Sequence, residues 1–133
     1  MKKFSLASFI VMMVLVSVVS YAQGVTNTGM LGTWTSTLET GEAMEITLNA
    51  DKTYTINIDG VFNNSGKFTL AHAKRFGLEA DWLDFKIKKY TDKGKVKTGS
   101  GKMSYSYFLL PDGKIILGGG AYSGTYTKVT PDN

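Results

Sequence analysis

From residue 31 onward, apolar and polar positions alternate with a period of two, and clusters of turn-forming residues interrupt them at intervals. Met44, Ile46 and Leu48 fall on one face and Glu45 and Thr47 on the other, the pattern of a strand with one side buried. The polar loop Asn49 to Lys52 leads into Tyr54, Ile56 and Ile58, which alternate with Thr55, Asn57 and Asp59, so the two segments predict a β-hairpin. A first strand precedes them over Leu31 to Leu38, closed by Glu39-Thr40-Gly41-Glu42. Asp59-Gly60 and Asn63-Asn64-Ser65-Gly66 read as turns, after which Lys67 to Leu70 resumes the alternation with Phe68 and Leu70 inward.

Ala71 to Gly77 contains no β-branched residue and is expected to form a single helical turn, placed as a lid or corner. The alternation returns over Asp81 to Tyr90, with Leu83, Phe85 and Ile87 opposed to Trp82, Asp84, Lys86 and Lys88. Lys95 to Leu110 exceeds an ordinary strand, and Gly99-Ser100-Gly101 is expected to bend or divide it. Pro111-Asp112-Gly113 turns the chain into Lys114 to Leu117. Gly118-Gly119-Gly120 reads as a kink or bulge before a closing strand over Tyr122 to Val129. Short strands at near-regular spacing with no long helix predict an all-β fold, an antiparallel up-and-down meander of about eight strands closed into a small barrel. Closure removes the exposed edges that an isolated meander would carry.

The first 22 residues belong to a different pattern. Lys2 and Lys3 precede an apolar run from about Leu6 to Val19, followed by Ser20-Tyr21-Ala22, which reads as a secretory signal peptide cut before Gln23. Residues 23–30 are then a flexible lead-in and 31–130 a single barrel domain. The chain has no cysteine, so neither a lipidated N-terminal cysteine nor a disulfide framework is available. These features predict an exported protein, periplasmic or secreted, soluble and monomeric, with no membrane span once the signal is removed. Loss of Lys2 and Lys3 lowers the formal charge from +4 to +2.

Two stretches carry a family resemblance. Gly32-Thr33-Trp34 opens the first strand and Gly124-Thr125-Tyr126-Thr127-Lys128-Val129 forms the last. In this the chain resembles the calycin barrels, and more narrowly the small lipocalin-like domain of exported bacterial proteins. The resemblance implies that the Trp34 ring plugs the closed end of the barrel, next to Gly32, with a basic side chain from the last strand, here Lys128, packed across it.

Catalytic chemistry finds little to stand on. His72 is the one histidine, and there is neither a thiol nor a glycine-x-serine-x-glycine segment. Asp81 and Asp84, like Glu42 and Glu45, are three residues apart, a spacing that sends side chains to opposite faces of a strand. No cofactor and no metal site is expected, since Asn49 and Asp51 are explained by turn formation. The expectation is a non-catalytic binding protein. Its interior would hold a small apolar or amphipathic ligand against Tyr54, Phe68, Tyr105 and Tyr107, entered past Ala71 to Gly77.

A second reading has the aromatic side chains fill the barrel, which then serves as an interaction module. From Lys67 to Lys102 ten Lys and Arg accompany four acidic residues, a local charge of +6. That lysine-rich face, with the loops, would bind an envelope protein or polysaccharide. Export argues against nucleic acid as the partner.

Overall fold

The computed structural model describes residues 28–129. The signal segment, residues 23–27 of the expected lead-in and Thr130 at the end of the expected domain lie outside the described residues. The fold is all-β. Eight antiparallel strands run β1 (Gly32–Thr37), β2 (Ala43–Leu48), β3 (Thr53–Ile58), β4 (Val61–Arg75), β5 (Leu78–Asp92), β6 (Lys95–Leu109), β7 (Lys114–Gly118) and β8 (Gly124–Lys128). Each pairs with the next, and β8 returns to β1 to close the barrel.

The period-two pattern explains which face of each strand looks inward. Met44, Ile46 and Leu48 of β2, Tyr54 and Ile56 of β3, Phe68 and Leu70 of β4 and Leu83 and Phe85 of β5 are all buried. Trp34, Ile115, Leu117 and Tyr126 join them in one continuous core. Each fully buried large side chain contributes roughly 1.5–3 kcal/mol relative to exposure.

Because the chain goes up and down, the two ends of the barrel are built from different connections. The start of β1 shares its end with the β2–β3, β4–β5 and β6–β7 connections, and the β1–β2, β3–β4, β5–β6 and β7–β8 connections form the other. Trp34 therefore lies toward the same end as the β4–β5 hairpin. The segment Ala71 to Gly77, expected as a lid or corner, sits at the end opposite the β1–β2 loop.

Several local expectations are corrected. Ala71 to Arg75 is not a helical turn but the end of β4, because Ala71, His72, Ala73, Lys74 and Arg75 pair in register with Trp82, Asp81, Ala80, Glu79 and Leu78. Cross-strand partners decide the conformation where propensity was indifferent. Only Phe76 and Gly77, both at positive φ, make the two-residue hairpin turn. Asn63 to Gly66 is likewise strand rather than turn. Its turn-like composition accompanies two register shifts, one opposite Ile56/Asn57 and one between Ser65 and Gly66. Gly66 is required there, since a Cβ would fall on the Lys86 carbonyl oxygen. The long segment after Lys95 stays a single strand, with its irregularity where Ile87 pairs Gly101 and Lys89 pairs Thr98. Gly118 ends β7, and Gly119 and Gly120 belong to the β7–β8 loop rather than to a kinked strand.

The lead-in, expected to be flexible through Met30, ends earlier. Thr28–Met30 form a 3-10 turn, and the Met30 side chain is completely buried.

Closure of the barrel is uneven. The ladder between β3 and β4 stops at Lys67, and that between β6 and β7 begins only at Ser106, so the 15-residue strands β4, β5 and β6 overhang both ends. Edges thus persist on the overhangs, and Lys95, Lys97 and Lys102 stud the one on β6, a device that discourages edge-to-edge pairing.

Candidate functional site

The end of the barrel at which β1 begins assembles around Trp34. Its register partner across the β1–β8 seam is Lys128, whose ammonium lies 5.5 Å from the ring centroid. The indole N–H donates to the Met30 carbonyl at 2.9 Å, and the Lys128 ammonium donates to the Gly29 carbonyl at 3.2 Å. The 3-10 turn is thereby tied to both ends of the barrel sequence. Gly32 lets Lys128 pass, since a Cβ there would stand 2.9 Å from Lys128 Cε, and its φ of 124° favours glycine in any case.

The four residues expected to line a ligand cavity are Tyr54, Phe68, Tyr105 and Tyr107, and all are between 1% and 5% exposed. Tyr54 and Tyr105 are linked through Phe85, at centroid distances of 4.5 and 6.0 Å, and Tyr105 stacks on Tyr122 at 6.1 Å. Phe68 stands beside Phe85 in register across β4 and β5. Tyr107 lies apart from this group, paired with Asp81 and Leu117.

The polar atoms of the group are turned on one another. The Tyr54 hydroxyl donates to Asn64 Oδ1 at 2.7 Å, and the Asn64 amide donates to Asn63 Oδ1 at 2.8 Å. The Tyr122 hydroxyl also donates to Asn63 Oδ1, at 2.9 Å, while its backbone N–H donates to the Tyr105 hydroxyl at 3.2 Å. The Tyr126 hydroxyl donates to the Tyr122 carbonyl at 2.7 Å. Burial pushes all four phenols, Tyr54, Tyr105, Tyr122 and Tyr126, above the ordinary tyrosine value, so they remain neutral. Among the described residues, no buried side-chain nitrogen or oxygen lacks a hydrogen-bond partner.

Asn64 and Tyr122 organise this network and were not among the expected site residues. Asn64 could have been found by carrying the alternation of Leu70 and Phe68 back through Gly66. Tyr122 follows three glycines in a loop, where no periodicity marks an inward side chain.

Two charged clusters occupy the long β4–β5 hairpin. On its inward side His72 Nδ1 and Asp81 Oδ1 are 2.9 Å apart, and Glu79 Oε1 lies 3.3 Å from Nε2. The Asp81 hydrogen bond raises the His72 pKa above its ordinary value despite some desolvation, with Glu79 adding to the effect. Among the described residues, no group of three His, Cys, Asp or Glu could hold a metal ion. On the outward side Arg75 grips Asp84 through two hydrogen bonds of 2.7 and 3.0 Å while its guanidinium lies 5.2 Å from the Trp82 ring centroid. Burial works against the Asp84 charge, but Arg75 and Ser104 outweigh it and hold the carboxyl below the usual aspartate value. Asp81 and Asp84 thus serve different faces and form no acid–base pair.

Two surface concavities accompany these features. One, of about 580 Å³, lies outside β8, β1, β2 and β3 among Thr127, Thr125, Thr35, Thr37, Glu45 and Asn57. The other, of about 480 Å³, lies outside β4, β5 and β6. There Lys67, Lys86 and Lys102 stand side by side in register across three strands. All three are exposed, and none makes an ion pair among the described residues.

Fold and site together define a closed, eight-stranded, antiparallel β-barrel with a side-chain core and a lysine-bearing outer face. No protein-family model matches the chain, and neither the curated proteins nor the solved structures hold a match.

Proposed function

We propose that this protein is an exported, non-catalytic interaction module of the lipocalin-like, calycin-type kind. Its barrel is a filled scaffold, and its binding surface is the exterior, chiefly the lysine-rich face of β4, β5 and β6. The observation that carries this reading is the condition of Tyr54, Phe68, Tyr105 and Tyr107. They are buried among core side chains, and the Tyr54 and Tyr105 hydroxyls are hydrogen-bonded within the protein. An eight-stranded barrel is just wide enough either to be filled by side chains or to hold one small ligand, and these contacts favour filling. The interaction would take place in the cell envelope or outside the cell, with an envelope protein or polysaccharide.

Native mass spectrometry of the mature protein, gently purified from its own envelope, tests the reading against a known carrier processed in parallel. The expected result is a bare polypeptide while the carrier keeps its ligand. A stoichiometric lipid or apolar metabolite, lost from a Tyr105→Ala plus Tyr107→Ala variant that remains folded, would replace this reading with that of an interior ligand carrier.

A further inference from the structure

We infer that the row Lys67–Lys86–Lys102 is a binding site for an acidic polysaccharide that carries a carboxylate on each sugar. The inference rests on the exterior-binding reading above and supplies its ligand class.

Lys86 faces Lys67 directly across β4–β5 and Lys102 directly across β5–β6. Like charges placed opposite one another destabilise a sheet, and adjacent strands are only about 4.8 Å apart. Three exposed lysines therefore stand closely spaced along a line perpendicular to the strands. The nearest carboxylate along β5 on that face is Asp84, and Arg75 already holds both of its oxygens. Lys102 feels Asp84 and Lys67 feels Asp51, but neither carboxylate forms an ion pair with the row, so its three positive charges outnumber the negative ones near it and an anionic chain laid along it would supply the balance.

Beside the lysines runs a second row in register, Thr69, Asp84 and Ser104. The concavity of about 480 Å³ extends over both rows, and parts of Phe68 and Phe85 contribute to its lining. Cations along one side and hydroxyls with a carboxylate along the other suit a sugar ring with hydroxyls on one edge and a carboxylate on the other.

Other polyanions fit less well. Single-stranded nucleic acid binds over exposed aromatic rings, whereas Phe68 and Phe85 beside the row are buried and the exposed rings Phe76 and Phe108 lie away from it, in the β4–β5 turn and six residues along β6 from Lys102. An anionic lipid surface calls for apolar side chains to enter it beside the cations, and the neighbouring row is polar.

The test measures binding of the mature protein to polygalacturonate oligomers, with neutral dextran, single-stranded DNA and phosphatidylglycerol vesicles as comparisons. Polygalacturonate is expected to bind best, with log affinity falling linearly against log salt. Lys67→Gln, Lys86→Gln and Lys102→Gln should each weaken binding and lower the salt slope by about one, while Lys114→Gln on β7 leaves both unchanged. The urea midpoint of Lys86→Gln should equal or exceed the parent's, because the central like charge is removed. The inference is overturned by unchanged affinity in all three row variants, by equal binding of dextran or by tighter binding of DNA or vesicles. A bare protein in native mass spectrometry that ignores polygalacturonate removes this ligand class and leaves the exterior-binding reading in place. An apolar molecule held in the interior removes that reading itself.

Discussion

Inside the barrel the Tyr54 hydroxyl donates a 2.7 Å hydrogen bond to Asn64 Oδ1, joining β3 to the one buried polar side chain of the described residues. A buried group deprived of its partner keeps its desolvation cost, so Asn64→Leu should destabilise the fold by about 1–3 kcal/mol, as should Tyr54→Phe. The double variant should cost less than the two single losses combined, since it removes donor and acceptor together. Urea unfolding of the four proteins checks this, and strict additivity would mean that the two groups act independently.

At the end where β1 begins, Trp34 and Lys128 should differ in weight. Trp34→Ala empties a fully buried site and should cost on the order of 3–5 kcal/mol. Lys128→Met keeps much of the stem and loses the cation–ring attraction and the Gly29 contact, a cost of about 0.5–2 kcal/mol. Equilibrium denaturation ranks them, and a Trp34→Ala loss below about 1 kcal/mol would show that the ring is not the plug.

Gly66 should tolerate no side chain. In Gly66→Ala the Cβ meets the Lys86 backbone carbonyl rather than a movable side chain, so β4 and β5 must separate locally. A loss of about 1–3 kcal/mol is expected from such crowding. Gly101→Ala, also outside the positive-φ region and meeting only the movable Ile87 Cδ1 at 3.4 Å, serves as the comparison without backbone crowding.

His72 should make stability depend on pH. Its folded pKa lies above 6.5, chiefly through Asp81, so the imidazolium stabilises the folded state fully below the unfolded value. That contribution is lost as pH rises from about 6.5 through the higher folded value. The stability difference between wild type and His72→Gln should therefore shrink as pH rises above about 6.5, to be read from urea midpoints at a series of pH values. A difference that is constant with pH would remove the charged form from the account.

Much of the fold was legible because a half-buried sheet writes its register into the chain. Met44, Ile46 and Leu48, Tyr54 and Ile56, and Leu83 and Phe85 all point inward as their alternation indicates. Turn composition misled at Asn63 to Gly66, since Asn and Gly serve a bulge and an inward hydrogen-bonding side chain as readily as a loop. Ala71 to Arg75 could not be read locally, because what makes it a strand is β5, which follows it across the Phe76-Gly77 turn. The tyrosines expected to line a cavity were correctly placed inward. Their role depends on Asn64, Phe85 and Tyr122 meeting them across other strands and a loop, which no single stretch of sequence records. The lysine cluster was visible as composition, but its alignment into a row needed the pairing of Lys67, Lys86 and Lys102.

The most direct measurement is residue-by-residue amide mapping by nuclear magnetic resonance of the isotope-labelled mature protein, titrated with polygalacturonate oligomers. Saturable shifts centred on Lys67, Thr69, Lys86, Lys102 and Ser104, with Tyr54, Tyr105 and Tyr126 unmoved, are the predicted result. Shifts centred on those interior tyrosines would contradict the filled-scaffold account.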